Sequence, residues 1–169
     1  MKVIGVKQLL QKKYKLVEGL PPEWADCLGQ LEESFTMIIW GNSGQGKSNF
    51  VYQLLRVLSA IYSTLYVALE ESHSLTTQNL VNRHDLQPLS GKIKWANHET
   101  KYESLYAFLE KKKSPKIIVI DSVQYFDINY KLYQKLKERF PKKTFIFISH
   151  AKGKNPDGRT ASSIRYDAL

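Results

Sequence analysis

The sequence predicts an α/β fold of three layers, with helices covering both faces of a mainly parallel central sheet. Two observations predict it. Short runs such as "FTMIIW" and "KIIVID" are apolar without interruption, as strands buried on both faces must be. Between these runs, apolar residues recur at helical spacing, the pattern of strand–helix–strand crossovers. In such sheets ligands bind at the carboxyl ends of the strands, so those ends are where function is sought.

Residues 1–28 read as a lead-in segment and 29–169 as one domain. Residues 1–20 are basic and amphipathic, with Val6, Leu9, Leu10 and Leu16 at loosely helical spacing. "EGLPPEW" interrupts them; paired prolines suit a turn and then a first helical position. Trp24 and Leu28 can share a face of the short helix that follows, and Gly29 ends it. The first strand is 35–40. A helix carries Phe50, Val51, Leu54, Leu55, Leu58 and Ile61. "TLYVAL" (64–69) is the second strand, followed by a helix over 75–84. "KIKWAN" (92–97) is a weaker strand, and "YESLYAFLEKKK" a helix. "KIIVID" (116–121), a helix through "YKLYQKLKERF" and "TFIFISH" (144–150) complete the alternation.

Composition narrows the class. The single cysteine, Cys27, excludes an internal disulfide and fits a reducing, cytoplasmic setting. No stretch of the N-terminus reads as a secretory signal, and no apolar run reaches the length of a membrane span. The net charge is +9, and residues 111–154 account for all of it, with 12 Lys/Arg against 3 Asp/Glu. A basic half-domain suits a polyanionic partner such as nucleic acid, or forms a solvated lysine-rich surface.

The strand ends carry the chemistry. After the first strand comes Gly41-Asn42-Ser43-Gly44-Gln45-Gly46-Lys47-Ser48-Asn49. This is the full G-x-x-x-x-G-K-[ST] pattern, placed between a strand and a helix. Its glycines let backbone N–H groups converge on phosphate oxygens at a helix N-terminus. Lys47 reaches the β- and γ-phosphates of ATP, and the Ser48 hydroxyl ligates Mg²⁺. Asp121 ends the third strong strand, where a carboxylate is costly unless paired or bound to a cation; Mg²⁺ is that cation, and a helix cap is the other reading. Glu70 and Glu71 follow the second strand. Hydrolysis needs a group that orients the attacking water, and Glu70 is assigned as that base, with Glu71 as its substitute. His150 ends the fourth strong strand, placed to sense the γ-phosphate. The remainder reads as a long loop in which Lys152, Lys154 and Arg159 face a phosphate backbone or solvent.

The loop, "LEES", "VIDS" and "ISHAKGKNPDG" follow strands in that order, and together they resemble the RecA-like ATPases, on the RadA/KaiC/DnaB-helicase side. The resemblance covers roughly residues 28–169. It implies that the His150 strand lies between the phosphate-loop strand and the Asp121 strand. It also implies ATP hydrolysis at subunit interfaces, homo-oligomeric rings or filaments, and DNA as partner. The pattern departs in three ways. The family's trans-acting finger comes from later strands than this sequence contains, "SVQYFDINY" carries no basic residue, and no appended helicase or zinc domain is seen. A minimal core, a truncated form and a specialised relative all fit.

Two functions follow. The first is a Mg²⁺-dependent ATPase of DNA recombination, repair or replication, coupling ATP state to DNA binding and self-assembly. The second is a RecA-fold regulatory or assembly ATPase with a protein partner. A small-molecule kinase fits less well, because no Arg-rich lid follows. Parallel topology places Lys111, Lys112, Lys113 and Lys116, and also Lys142 and Lys143, at the amino ends of the strands. Lys112 and Lys142 are the DNA-contact candidates of that edge.

Overall fold

The structure, a computed structural model, describes residues 3–169. Five parallel strands form the sheet: β1 (Thr36–Gly41), β2 (Thr64–Ala68), β3 (Ile93–Ala96), β4 (Ile117–Asp121) and β5 (Thr144–Lys152). Their order is β1-β5-β4-β2-β3, and a short sixth strand, β6 (Asn155–Pro156), turns back antiparallel on β5. The strand bearing His150 therefore lies between the phosphate-loop strand and the Asp121 strand, as the resemblance implied. The register places Gly41 opposite His150 and Ala68 opposite Asp121, so the carboxyl ends of β1, β2 and β4 and the His150 stretch of β5 lie at one end of the sheet.

Strand residues alternate between two cores, which is why the strands are apolar throughout. Ile118, Ile120, Phe145 and Phe147 point to one face, with Leu105, Tyr133, Leu136 and Ile164. These come from α5 (Tyr102–Leu109), α6 (Tyr130–Arg139) and α7 (Arg159–Asp167). Ile117, Val119, Ile146 and Ile148 point to the other face, against Val51, Leu54, Leu55 and Leu58. Those four belong to α3 (Lys47–Ile61), and α4 (Leu75–Arg83) adds Leu80 and Val81 at the rim. Ser74 caps α4 by accepting from Thr77 N–H at 3.2 Å.

The lead-in holds two short helices, α1 (Val6–Leu10) and α2 (Pro22–Leu28). Pro22 opens α2, and Gly29 closes it with φ +65°, a positive φ that glycine adopts without strain. Trp24 and Leu28 both pack on the α3-side core. The anticipated helix through Leu16 is shorter. Lys15–Val17 instead pairs antiparallel with Leu31–Glu33 through Val17 N–H to Leu31 and Glu33 N–H to Lys15.

Two further expectations change. The helix from "YESLYAFLEKKK" ends at Leu109, before its lysines, where Ser114 Oγ donates to the Leu109 carbonyl at 2.8 Å. The long basic loop after the fourth strong strand is not a loop. β5 continues to Lys152, turns through Gly153 and returns as β6, and α7 then packs Ala161 and Ile164 into the core with no exposed surface. Ala161, Ile164 and Ala168 fall at i, i+3 and i+7, but two of the three are alanines set among polar residues, so the stripe is faint.

Candidate functional site

The phosphate loop is preorganised by its own side chains. Gly44 and Gly46 sit at φ +78° and +80°, where a side chain would be strained. Gln45 Oε1 accepts the Asn42 N–H at 2.7 Å and braces the loop from inside. A Cβ at Gly41 would lie 3.0 Å from that oxygen, so the position is tight. Lys47 Nζ donates to the Asn42 carbonyl at 2.9 Å, folding the side chain across the loop. The first turn of α3 has no side-chain cap, which leaves its N–H groups for an anion.

These groups open into a cleft of about 260 Å³. Ser43, Gly44, Gly46, Lys47, Ser48 and Asn49 form one wall, while Glu70, Glu71, Asp121 and His150 form the other. Gly41, Asn42 and Gln45 act behind that wall, shaping the loop. Asn49 is half engaged elsewhere, since its Oδ1 lies 3.1 Å from His84 Nε2.

β4 ends at Asp121, and the Asp121–Ser122 peptide that follows is cis. The Tyr66 hydroxyl donates to Asp121 Oδ2 at 2.5 Å. Tyr66 is buried, packed between the rings of Tyr52 and Trp95. Among the described residues, nothing donates to Asp121 Oδ1. Burial pushes the Asp121 carboxyl up to about 6, with Glu70 and Glu71 adding to the rise and the Tyr66 and Lys47 contacts opposing it. A raised carboxyl facing a cleft wants a cation. Among the described residues, no cluster of three or more His, Cys, Asp or Glu is arranged to hold a metal. One hydroxyl, Ser48, and one carboxylate, Asp121, suit Mg²⁺, which keeps much of its water and shares phosphate oxygens.

Glu70 emerges just past β2, where the Leu69 and Glu70 N–H groups both donate to the Asp121 carbonyl, at 2.7 and 3.2 Å. Its Oε2 lies 3.1 Å from His150 Nε2. The Glu70 carboxylate and the His150 ring thus form one unit over the cleft. Glu71 lines the same cleft; His150 is the difference between the two carboxylates.

Two residues outside the expected set belong to the site. Tyr66 holds Asp121; a tyrosine in an otherwise aliphatic buried strand needs a hydroxyl partner, and that was its available signal. Gln124 ties three segments together. It donates to Ser149 Oγ and the Asp157 carbonyl, both at 2.8 Å, and accepts from His150 N–H at 3.2 Å. Nothing in "SVQYF" announces that.

The nucleic-acid candidates separate. Lys152, Lys154 and Arg159 are exposed on the β5–β6 hairpin and at the start of α7, on the same sheet end as the cleft. The hairpin is held by Trp40 Nε1 donating to the Lys154 carbonyl and by Arg165 stacked over Trp40. Lys112 and Lys142 are exposed at the opposite end, beside Lys111 and Lys113. Lys116 and Lys143 do not join that edge as free cations. Lys143 Nζ donates to the Pro115 carbonyl at 2.6 Å and to Ser114 Oγ at 2.9 Å. Lys116 donates to the Lys142 carbonyl and lies 3.9 Å from Glu33. Burial lowers the pKa of both. They fasten strand entrances, which one-dimensional charge counting cannot distinguish from a surface patch.

No family model and no curated protein matches the sequence. Among solved structures, the chain is similar to the flagellar accessory protein FlaH from Methanocaldococcus jannaschii, with a TM-score of 0.68 and 18% identity. The likeness covers 92% of this chain and 78% of that one. At that identity it speaks to fold. With the strand order and the loop between β1 and α3, it makes the architecture a three-layer, mainly parallel, RecA-like P-loop fold.

Proposed function

We propose that this protein binds ATP with Mg²⁺ and hydrolyses it. The observation that carries the reading is the convergence of the uncapped α3 N-terminus, Lys47, Ser48, Asp121 and the Glu70–His150 pair on one cleft. Backbone N–H groups and Lys47 hold the phosphates, and Lys47 leaves the Asn42 carbonyl to do so. Mg²⁺, when bound, neutralises charge that develops on the phosphate oxygens. Glu70 orients and polarises the attacking water, and His150 fixes which way Glu70 points. The buried Tyr66 keeps Asp121 in one rotamer.

In the finer form of this proposal, ATP state is coupled to DNA binding and self-assembly in recombination, repair or replication. The exposed Lys152, Lys154 and Arg159 beside the cleft support it, as does the positive charge of residues 111–154. A second reading, an ATPase with a protein partner, is favoured by the likeness to a flagellar accessory protein. Steady-state ATPase rates against protein concentration, with and without single- and double-stranded DNA, separate them. Stimulation by DNA supports the first, and indifference to DNA supports the second. Lys47→Ala and Glu70→Gln each lower turnover by about 10²-fold or more. Wild-type turnover in Lys47→Ala would overturn the site.

A further inference from the structure

β5 outruns β4. The last pair between them is Asp121 with Ile148, while Ser149 and His150 still lie opposite Trp40 and Gly41 of β1. The Val123 N–H donates to the Ile148 carbonyl at 2.9 Å, and from there the Gln124 side chain takes over. Its Nε2 donates to Ser149 Oγ and to the Asp157 carbonyl, both at 2.8 Å, and its Oε1 accepts the His150 N–H at 3.2 Å. A glutamine amide carries the donor and acceptor of a peptide group, so Gln124 stands in for the peptide that β4 no longer supplies. Its partners fix which way the amide faces: the Asp157 carbonyl can only accept, and the His150 N–H can only donate.

His150 is thereby held by both of its backbone groups. Its N–H goes to Gln124, and its carbonyl accepts from Ser149 Oγ at 2.9 Å and from the Asp157 N–H at 2.8 Å. Those two donors belong to the same residues that Gln124 itself bonds. The next residue of the turn adds a ring, with Tyr125 lying 6.1 Å from His150 between centroids. Val123 and Phe126, both buried, root that turn in the core. At its other end the imidazole reaches Glu70, Nε2 to Oε2 at 3.1 Å. Gln124 is exposed and does not line the cleft. A solvated glutamine keeps its rotamer freedom; this one gives it up to three protein contacts.

We infer that Gln124 is a positioning residue: it fixes His150 in line with Glu70, and so sets where the water-polarising carboxylate points without itself touching nucleotide or water. The inference rests on the proposed role of Glu70 as the base. The competing account is a fastener of the turn, whose loss costs stability and leaves the folded enzyme's chemistry alone.

Two substitutions in the whole chain separate these accounts. Gln124→Met keeps the shape of the side chain and removes its hydrogen bonds, and Gln124→Ala removes both. Urea unfolding sets the conditions under which each variant is folded, and steady-state kinetics with Mg²⁺ and ATP follow there. Both variants lower kcat by about 10- to 10²-fold and leave KM for ATP unchanged, because no contact of the phosphate loop is lost. In a His150→Ala background neither substitution lowers kcat further, since the residue that Gln124 acts through is gone. A second readout needs no turnover: the imidazole ¹⁵N resonance of His150, identified among the four histidines by its loss in His150→Ala. Glu70→Gln moves that resonance in otherwise wild-type protein and moves it much less beside Gln124→Met. Three results would each overturn the inference: wild-type kcat in Gln124→Met, a loss that persists undiminished in the His150→Ala background, or a resonance shift that is equal with and without Gln124. A wild type that turns over no ATP, with the resonance still dependent on Gln124, would overturn the proposed function and support the positioning role.

Discussion

Asp121 shows how one buried carboxyl costs a fold stability. Its folded pKa is raised to about 6 from 3.8. As pH rises from about 4 to 6 the unfolded chain ionises first, so this group's contribution to stability falls; above 6 the penalty is constant. Its size at neutral pH is on the order of 2–3 kcal/mol. Asp121→Asn keeps an acceptor for the Tyr66 hydroxyl and removes the charge. The nucleotide-free variant is therefore more stable than wild type at pH 7, by about that amount, and nearly equal near pH 4. Urea unfolding at the two pH values measures it, and a difference independent of pH would move the penalty elsewhere. The same variant loses Mg²⁺-dependent nucleotide affinity. Asp121 was legible from sequence because a carboxylate ending an apolar strand needs a reason. Tyr66 was not, because the hydroxyl meets its partner only across two adjacent strands, β2 and β4.

Among the elements, α7 is the one whose nature changes the reading most. It caps the β1 edge of the sheet and steadies the chain end through Tyr130 donating to Asp167 and Leu169 N–H donating to the Thr36 carbonyl. A helix so packed depends on its buried residues. Ile164→Ala lowers unfolding free energy by about 2–5 kcal/mol, measured by urea denaturation. A mobile basic tail would tolerate the change within about 0.5 kcal/mol, so a small effect would return residues 159–167 to the status of a loop. The strands were plain from their apolar runs. α7 was hidden because Arg159, Ser162, Ser163, Arg165 and Asp167 dilute its two core residues.

Charge belongs to the molecule as a whole, and the fold redistributes its meaning. The nucleic-acid candidates fall on two surfaces, one beside the cleft (Lys152, Lys154, Arg159) and one at the far end of the sheet (Lys112 and Lys142, with Lys111 and Lys113). If the far surface carries DNA backbone, Lys112→Glu with Lys142→Glu lowers affinity and flattens the salt dependence. On duplex DNA the log–log slope falls by about 0.9 for each phosphate that the protein ceases to neutralise. Fluorescence anisotropy across a salt titration reads both quantities. Unchanged slope and affinity would leave those lysines as solubilising charge. Among the described residues no helix is long and apolar enough to cross a membrane.

Periodicity and strand-end chemistry specified the alternating α/β order, the phosphate loop and the identities of Asp121, Glu70 and His150. These are local properties: a strand buried on both faces must be apolar, and a glycine loop between strand and helix has few other uses. Long-range pairing settled the rest. The register of β1 with β5 and of β2 with β4 brought Glu70 to His150 and Tyr66 to Asp121. It also turned Lys116 and Lys143 from surface charge into fasteners of the strand entrances. Those outcomes depend on which segments become neighbours, and a neighbour many residues away leaves no periodic trace in the chain.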